Sequence, residues 1–512
     1  MIKKWLPNLI GLSIFALLGR LLGFVREILM ASKFGANEIT DAYLTTLLLF
    51  DIAVAANMSI LSGTLSFSTE VKNLKYFFQS LINVGLKAFI IVFAIAVIYY
   101  PLADKLIPLI FPKSLVVAKV IIETSRLFLI LAAFLTASGV FSALLQMKGN
   151  VTNPGKLIIF LNISSIAFLI FYSKIYGIIS LPLGFLLGGM LFFIYQIFLI
   201  RKKKEEITTD NNDKNKLNIL GWSVVVLLIF GNSLLPSAAG LLERYFAYSF
   251  VEGTFSRYQY AAKIIFLPLT IFSFAISTSL LPIQTKSIGE GNKNEFMKAT
   301  NNGVLFSVVT SSFFVLLFFL LSHQIIQIIY QHGHFNLHDS AETSHALRIM
   351  SVGLIPFLLN PVIANIYYSL RTVKNIIAIN LFFILIQFIV LLFFSKIFTG
   401  IETLTVTWVI IVWTNNFALI YFLARYKNIH FNKTIVMKLF LVLLITAALI
   451  ILCRNIVDVW FGEANTLQSN LQFLLKVGGA GIILLLVFTI GISFVFYDRL
   501  DEIIHYFKKN RE

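Results

Sequence analysis

Two arginines lie inside the first apolar stretch of the chain, in the run Gly19-Arg20-Leu21-Leu22-Gly23-Phe24-Val25-Arg26-Glu27. The surrounding residues, 8–31, are enough to cross a bilayer as one helix. Arg20 falls near the middle, where a guanidinium costs at least ~2.5 kcal/mol unless it meets a partner or water. A helix that only anchors a protein carries no such cost, so Arg20 points to a polar cavity within the membrane. The second apolar stretch, 40–66, returns antiparallel around Lys33–Ile39. Residues at equal depth in such a hairpin have index sums near about 70, which sets Arg20 opposite Asp51 and Arg26 opposite Asp41. Glu27 is seven residues from Arg20 and shares its helical face. A guanidinium fork suits the oxygens of a phosphate, so these charges could line a hydrated cavity for an anionic substrate. Pairing that serves only to lower the cost of burial is the other reading open here.

Further charges occur in later apolar stretches. Lys263, in Tyr258-Gln259-Tyr260-Ala261-Ala262-Lys263, either adds a third cation to the cavity or snorkels to the interface. Glu243 and Arg244 are gate candidates near the end of another stretch, or interfacial residues. Arg348 is expected to snorkel. Gly19, Gly23, Gly63, Pro268, Pro282, Pro356 and Pro361 mark places where helices can bend or pack closely.

The elements that carry these residues follow from composition. Of 512 residues, 58% are hydrophobic and 13% charged, and mean hydropathy is +0.88. That describes an integral, multi-spanning membrane protein. Fourteen apolar runs are long enough to span, at 8–31, 40–66, 80–101, 124–147, 156–174, 177–200, 217–249, 256–282, 303–323, 343–370, 375–395, 402–424, 434–453 and 474–497. The net charge of +17 needs no nucleic acid to explain it. With the N-terminus inside, cytoplasmic segments hold 25 Lys and Arg and outer segments 11, and five more lie within spans. That asymmetry predicts both termini cytoplasmic. The lone Cys453 excludes an internal disulfide framework. His332, His334 and His338 share an outer loop and are read as solvated rather than metal-binding.

The polar segment 201–216 follows the sixth span, where a linker between two six-helix lobes belongs. Leu106-Ile107-Pro108-Leu109-Ile110-Phe111 aligns with Ile325-Ile326-Gln327-Ile328-Ile329-Tyr330 at an offset of 219, and Glu123-Thr124-Ser125 aligns with Glu342-Thr343-Ser344 at the same offset. Six spans separate the copies, so the repeat is parallel, about an axis along the membrane normal. The expected organisation is an N-terminal lobe over 1–200, a linker over 201–216, a second lobe over 217–428, and a terminal helix pair with a cytoplasmic tail over 429–512. The expected fold is all-α, with about fourteen transmembrane helices. No Walker loop, nucleophile elbow, zinc-protease motif or dinucleotide fingerprint is present, so the chain reads as a transporter rather than an enzyme. Buried charges in two pseudo-symmetric halves suit alternating access better than a channel.

The run from Gly19 to Glu27, with Phe34-Gly35-Ala36 and Thr40-Asp41-Ala42-Tyr43, resembles the opening signature of the MurJ/MviN lipid II flippases of the multidrug/oligosaccharidyl-lipid/polysaccharide exporter superfamily. Tyr260-Ala261-Ala262-Lys263, Leu280-Leu281-Pro282, Gly289-Glu290-Gly291-Asn292, Tyr330-Gln331-His332-Gly333-His334-Phe335 and Ser351-Val352-Gly353-Leu354 extend the likeness over most of spans one to twelve. The resemblance implies a flippase of the bacterial inner membrane that moves a polyprenyl-diphosphate-linked saccharide, lipid II foremost, for peptidoglycan synthesis. It places the family's cavity arginines on Arg20 and Arg26, its second-helix aspartate on Asp41, and the arginine of its eighth helix on Lys263. Where the family carries Pro-Asn and then arginine in the second helix, this chain reads Phe50-Asp51-Ile52-Ala53. That departure keeps capsule or O-antigen repeat units as an alternative cargo; a cation-coupled drug exporter is a more distant one. No cofactor or metal is expected. A sodium gradient and the membrane potential are both open as driving forces, and the oligomeric state is not legible.

Overall fold

Runs of Leu, Ile, Phe and Val with few charges form helices here because a segment in lipid must pair its own backbone N–H and C=O groups. In a computed structural model, residues 2–68, 74–110, 114–202, 219–398, 400–427, 429, 432–461, 470–493 and 495 are described. Among them there are sixteen α-helices and no strand. The helices are α1 (Ile2–Phe34), α2 (Glu38–Ser68), α3 (Leu74–Ile110), α4 (Leu115–Met147), α5 (Asn153–Tyr176), α6 (Ser180–Lys202), α7 (Ile219–Ser233), α8 (Leu235–Ala247), α9 (Thr254–Gly289), α10 (Lys293–Tyr330), α11 (Leu337–Ser351), α12 (Leu354–Ser369), α13 (Val373–Phe394), α14 (Ile401–Lys427), α15 (Lys433–Phe461) and α16 (Asn470–Ser493).

Among the described residues ten helical stretches are long and apolar enough to cross a membrane, or up to twelve when two bent helix pairs are each taken as one span, against the fourteen runs expected. Span seven is α7 and α8, bent by 40°, and span ten is α11 and α12, bent by 46°. At the first break, Pro236 lies in the opening turn of α8, where its missing N–H costs nothing. At the second, a Cβ on Gly353 would lie 2.3 Å from the Trp408 ring of α14, so only glycine lets the two helices meet. Pro268 and Pro282 stand inside α9 without dividing it.

The chain separates into two compact units, Met1–Ser256 and Arg257–Glu512. In the first, α4 is the central helix, packed against α2, α3 and α6; α5 lies between α6 and α1, and α7 and α8 lie against α2. In the second, α10 holds that position, with α11, α12, α15 and α16 around it. Burial separates centre from edge: 72% of the apolar window of α4 is inside the protein against 11% for α15, so α15 presents most of its surface outward. The expected linker at 201–216 lies outside the described residues from 203 onward.

Candidate substrate-binding site

The site begins where α5 approaches α1. A Cβ on Gly19 would lie 2.8 Å from Ile158 Cγ2, so this glycine is a packing position rather than a bend. The close approach brings Asn162 of α5 beside α1. Its Nδ2 donates to Gly19 O at 2.9 Å, and its Oδ1 accepts from Arg26 Nη1 at 2.8 Å. Arg26 Nη2 pairs with Glu27 Oε1 at 2.6 Å, and both side chains are buried. The guanidinium lies 4.7 Å from the centre of the Phe185 ring of α6. Tyr43 and Asp51 of α2 lie within its electrostatic reach, and the buried Tyr43 hydroxyl has no hydrogen-bond partner. The result is a desolvated polar node joining α1, α2, α5 and α6. Its guanidinium is satisfied by one carboxylate, one amide and one ring, as a buried charge requires.

This arrangement corrects one expected pairing. Equal depth set Arg26 opposite Asp41, but the carboxylate on Arg26 is Glu27 of its own helix. Depth does not determine which way a side chain faces around the helix axis, and Arg26 faces α5 and α6. Asp41 has a different task. It accepts from the backbone N–H groups of Gly253 and Ser256, each at 2.7 Å, and from the Ser256 hydroxyl. A carboxylate there satisfies N–H groups that the first turn of α9 leaves unpaired and complements the helix dipole.

Arg20 and Asp51 both stand on exposed faces, of α1 and α2 respectively. Lys263 is half-buried on α9 in the second unit, and Glu243 is half-buried on α8. Arg244 is buried: its Nε donates to Leu44 O at 3.3 Å, its Nη1 to Gly240 O at 2.9 Å, and it lies 5.4 Å from the Phe255 ring. A cavity of about 460 Å³ opens there, lined by Glu38, Asp41, Arg244, Tyr248, Glu252 and Phe255 among others. Asp41 and Arg244, far apart in sequence, therefore share one mixed-charge cavity at the ends of α2, α8 and α9. Among the described residues no three His, Cys, Asp or Glu side chains converge as a metal site.

Several polar residues emerge only from the structure. Asn162 was not singled out in the sequence, although an amide in the middle of an apolar span is a costly position that signals a partner. Arg257 and Asp339 form a buried ion pair at 2.9 Å, and Asp339 closes a capping box with Asn336 at the start of α11. The spacing Asn-x-x-Asp is a legible helix-start signal, whereas the reach of Arg257 across to it is not. Arg126 of α4 pairs with Asp104 at 2.6 Å and Glu123 at 3.2 Å, fastening α3 to α4.

The family model described as "Lipid II flippase MurJ" matches residues 30–471. A relative from Buchnera aphidicola subsp. Baizongia pistaciae, named "Probable lipid II flippase MurJ", is 25% identical over 414 residues, 77% of this chain and 78% of its own. "Lipid II flippase MurJ" from Burkholderia cenocepacia is 21% identical over 388 residues, 72% and 74% of the two chains. Among solved structures, "Lipid II flippase MurJ, inward closed conformation" superposes with a TM-score of 0.76 at 20% identity, covering 96% of this chain and all of that one. An inward-facing multidrug transporter of the MATE family gives 0.67 at 14%, covering 81% of this chain and 97% of its own. These two superpositions show the fold, an all-α one shared with both solved structures. Together with the family match across nearly the whole length, they place a multi-pass protein in the bacterial inner membrane, and the chain belongs to the lipid II flippase family MurJ.

Proposed function

We propose that this chain carries lipid II from the inner to the outer leaflet of the cytoplasmic membrane for peptidoglycan synthesis, by alternating access, with both termini cytoplasmic. The family match over residues 30–471 carries this reading. In this reading the lobes are 1–200 and 217–428, joined by 201–216, with a helix pair and tail over 429–512, although α7 and α8 pack against α2 and the compact units divide after Ser256.

In this reading Arg20 is the guanidinium that meets the diphosphate, because its side chain is exposed on a mid-membrane stretch of α1. Arg26, already held by Asn162 and Glu27, keeps α1 in register with α5 and contributes its field. Lys263 adds a point charge without the bidentate fork of an arginine, and Asp51 balances the cavity charge. Asp41, Glu27, Glu243 and Arg244 act on the path to the outer face, where Asp41 and Arg244 already share a cavity. The breaks at α7/α8 and α11/α12 supply the bendable segments that such a cycle needs. Either the membrane potential or a sodium gradient drives it.

Complementation tests this reading. Expression in cells depleted of their own lipid II flippase should restore growth and clear the accumulated lipid-linked precursor. A well-expressed chain that fails to rescue would transfer the reading to a capsule or O-antigen unit.

A further inference from the structure

The seam between α1 and α5 does more than pack two helices. At about 100° per residue, Phe15, Gly19, Gly23, Arg26 and Lys33 fall within about 80° of one another around the axis of α1. All five meet α5. Lys156 Nζ lies 5.7 Å from the centre of the Phe15 ring, and Lys33 Nζ donates to Ser173 Oγ at 2.7 Å. A Cβ on Gly19 would lie 2.8 Å from Ile158 Cγ2, and one on Gly23 would lie 3.5 Å from Asn162 Nδ2. The two glycines thus form a groove one helical turn long, and the amide of Asn162 reaches through it to the backbone of α1. Arg20 is turned about 100° away from Gly19, off the seam, and its side chain is exposed.

Asn162 is buried and holds α1 at two points. Its Nδ2 donates to Gly19 O at 2.9 Å, and that carbonyl belongs to the peptide unit whose nitrogen is the backbone nitrogen of Arg20. Its Oδ1 accepts from Arg26 Nη1 at 2.8 Å. Only an amide offers a donor and an acceptor in this way; a carboxylate lacks the donor and a hydrocarbon lacks both. The angle of α1 about its own axis matters most for a side chain that points away from the seam. Side chains reach about 5–6 Å from a helix axis, so a rotation of about 10° shifts the Arg20 guanidinium by about 1 Å. A binding constellation works only when held within about 0.5 Å.

We propose that Asn162 is a positioning residue for Arg20: by holding the Gly19–Arg20 peptide against α5, it sets the direction in which the guanidinium meets a diphosphate. The inference rests on Arg20 as the diphosphate ligand of the proposed function. Asn162 lies buried between two helices and acts through Arg20, not on the cargo. Its bond to Arg26 makes the hold rigid, because the same amide cannot turn toward one partner without leaving the other.

Native mass spectrometry of the full-length protein tests this role through retention of undecaprenyl diphosphate, with undecaprenol as the phosphate-free control. Asn162→Asp is the decisive variant, because it keeps an acceptor for Arg26 and removes only the donor to Gly19 O. We expect it to weaken retention of the diphosphate at least threefold, and Arg20→Ala to weaken it about tenfold or more, the loss of a charge-assisted contact. The double variant should match Arg20→Ala within about twofold, since a residue that acts through Arg20 then has nothing to act on. Gly19→Ala, which forces α1 and Ile158 apart without changing Asn162, should reproduce the threefold loss. Ser173→Ala removes the contact with Lys33 at the far end of the seam and should leave retention unchanged. Wild-type retention by Asn162→Asp or Gly19→Ala, multiplied losses in the double variant, or an equal loss in Ser173→Ala overturns the proposal. Wild-type retention by Arg20→Ala, or equal retention of undecaprenol and its diphosphate, is a separate outcome: it removes Arg20 from the diphosphate, and the role of Asn162 falls with it.

Discussion

Span four and its repeat counterpart, span ten, begin from similar sequences and end as different objects. α3 and α10, which precede them, match closely at 37 and 38 residues. α4 then runs unbroken for 33 residues, whereas the counterpart divides into α11 and α12 with a 46° bend. The same holds at the first position of each copy: α1 is a single helix, while span seven is α7 and α8 with a 40° bend. At the offset of 219, Ala133-Phe134 of α4 stand where Val352-Gly353 interrupt span ten. Both breaks thus belong to the second copy of the sequence repeat, although α7 and α8 pack within the first compact unit. The first copy instead places a buried ion pair in mid-helix, Arg26 with Glu27, while the second keeps Arg257 with Asp339 at helix ends. A duplicated bundle has been divided into a copy that holds charge in continuous helices and a copy that bends.

The strongest test of that division is Arg20. Under the proposed function, Arg20→Ala should lower transport by about tenfold to a hundredfold, the worth of a charge-assisted contact, while the protein still inserts at normal abundance. Arg20→Lys should rescue only in part, since a point charge lacks the fork. Arg20→Leu with Asp51→Leu should fold and stay inactive in a lipid-flipping assay; full transport by that double variant would remove Arg20 from substrate binding.

The two buried ion pairs come next. Glu27→Ala strands Arg26, and Asp339→Ala strands Arg257, each at about 3–5 kcal/mol. Thermal unfolding in detergent should show both losses, and removal of both partners of either pair should recover much of it. A pair whose single variants leave Tm unchanged is not holding its copy together.

Gly353→Ala should cost about 1–3 kcal/mol by overpacking against Trp408, with Trp408→Leu relieving it. Ala133→Gly, one residue before the place in α4 that matches Gly353, should cost only about 0.5–1 kcal/mol, the price of a helical glycine. Equal costs at the two positions would erase the distinction between the straight and broken spans. Smallest is Asp41→Asn, which keeps an acceptor at the start of α9 but loses the charge; about 0.5–2 kcal/mol is expected from unfolding curves.

The sequence and the structure agree most closely on the spans. Each of the fourteen apolar runs carries a helix, because length and apolarity leave a lipid-embedded backbone no other way to pair itself. Agreement weakens at the punctuation. Pro268 and Pro282 sit in an unbroken helix, Gly19 serves as a contact surface for Ile158, and Gly353 marks a real break. Glycine and proline permit a bend; a neighbour such as Trp408 decides whether one forms. The candidate site divides the same way. Arg20, Arg26 and Glu27 were conspicuous because charge is rare in an apolar run, and Asn162 carried the same signal. The partner of Arg26 was not, since a depth rule places residues along a helix axis and says nothing of direction around it.

The sequence by itself determined the membrane-spanning class, the duplicated six-helix plan and the presence of cations within the bilayer. Each of these depends on one-dimensional quantities: the length of an apolar run, an offset between copies, the solvation cost of a charge. Only the tertiary structure decided that Glu27 neutralises Arg26, that Asp41 caps α9, and that Asp41 and Arg244 line one cavity. Those pairings depend on the rotation of each helix about its axis. That rotation is set by the packing of many small and aromatic side chains at once, which no local pattern of residues encodes.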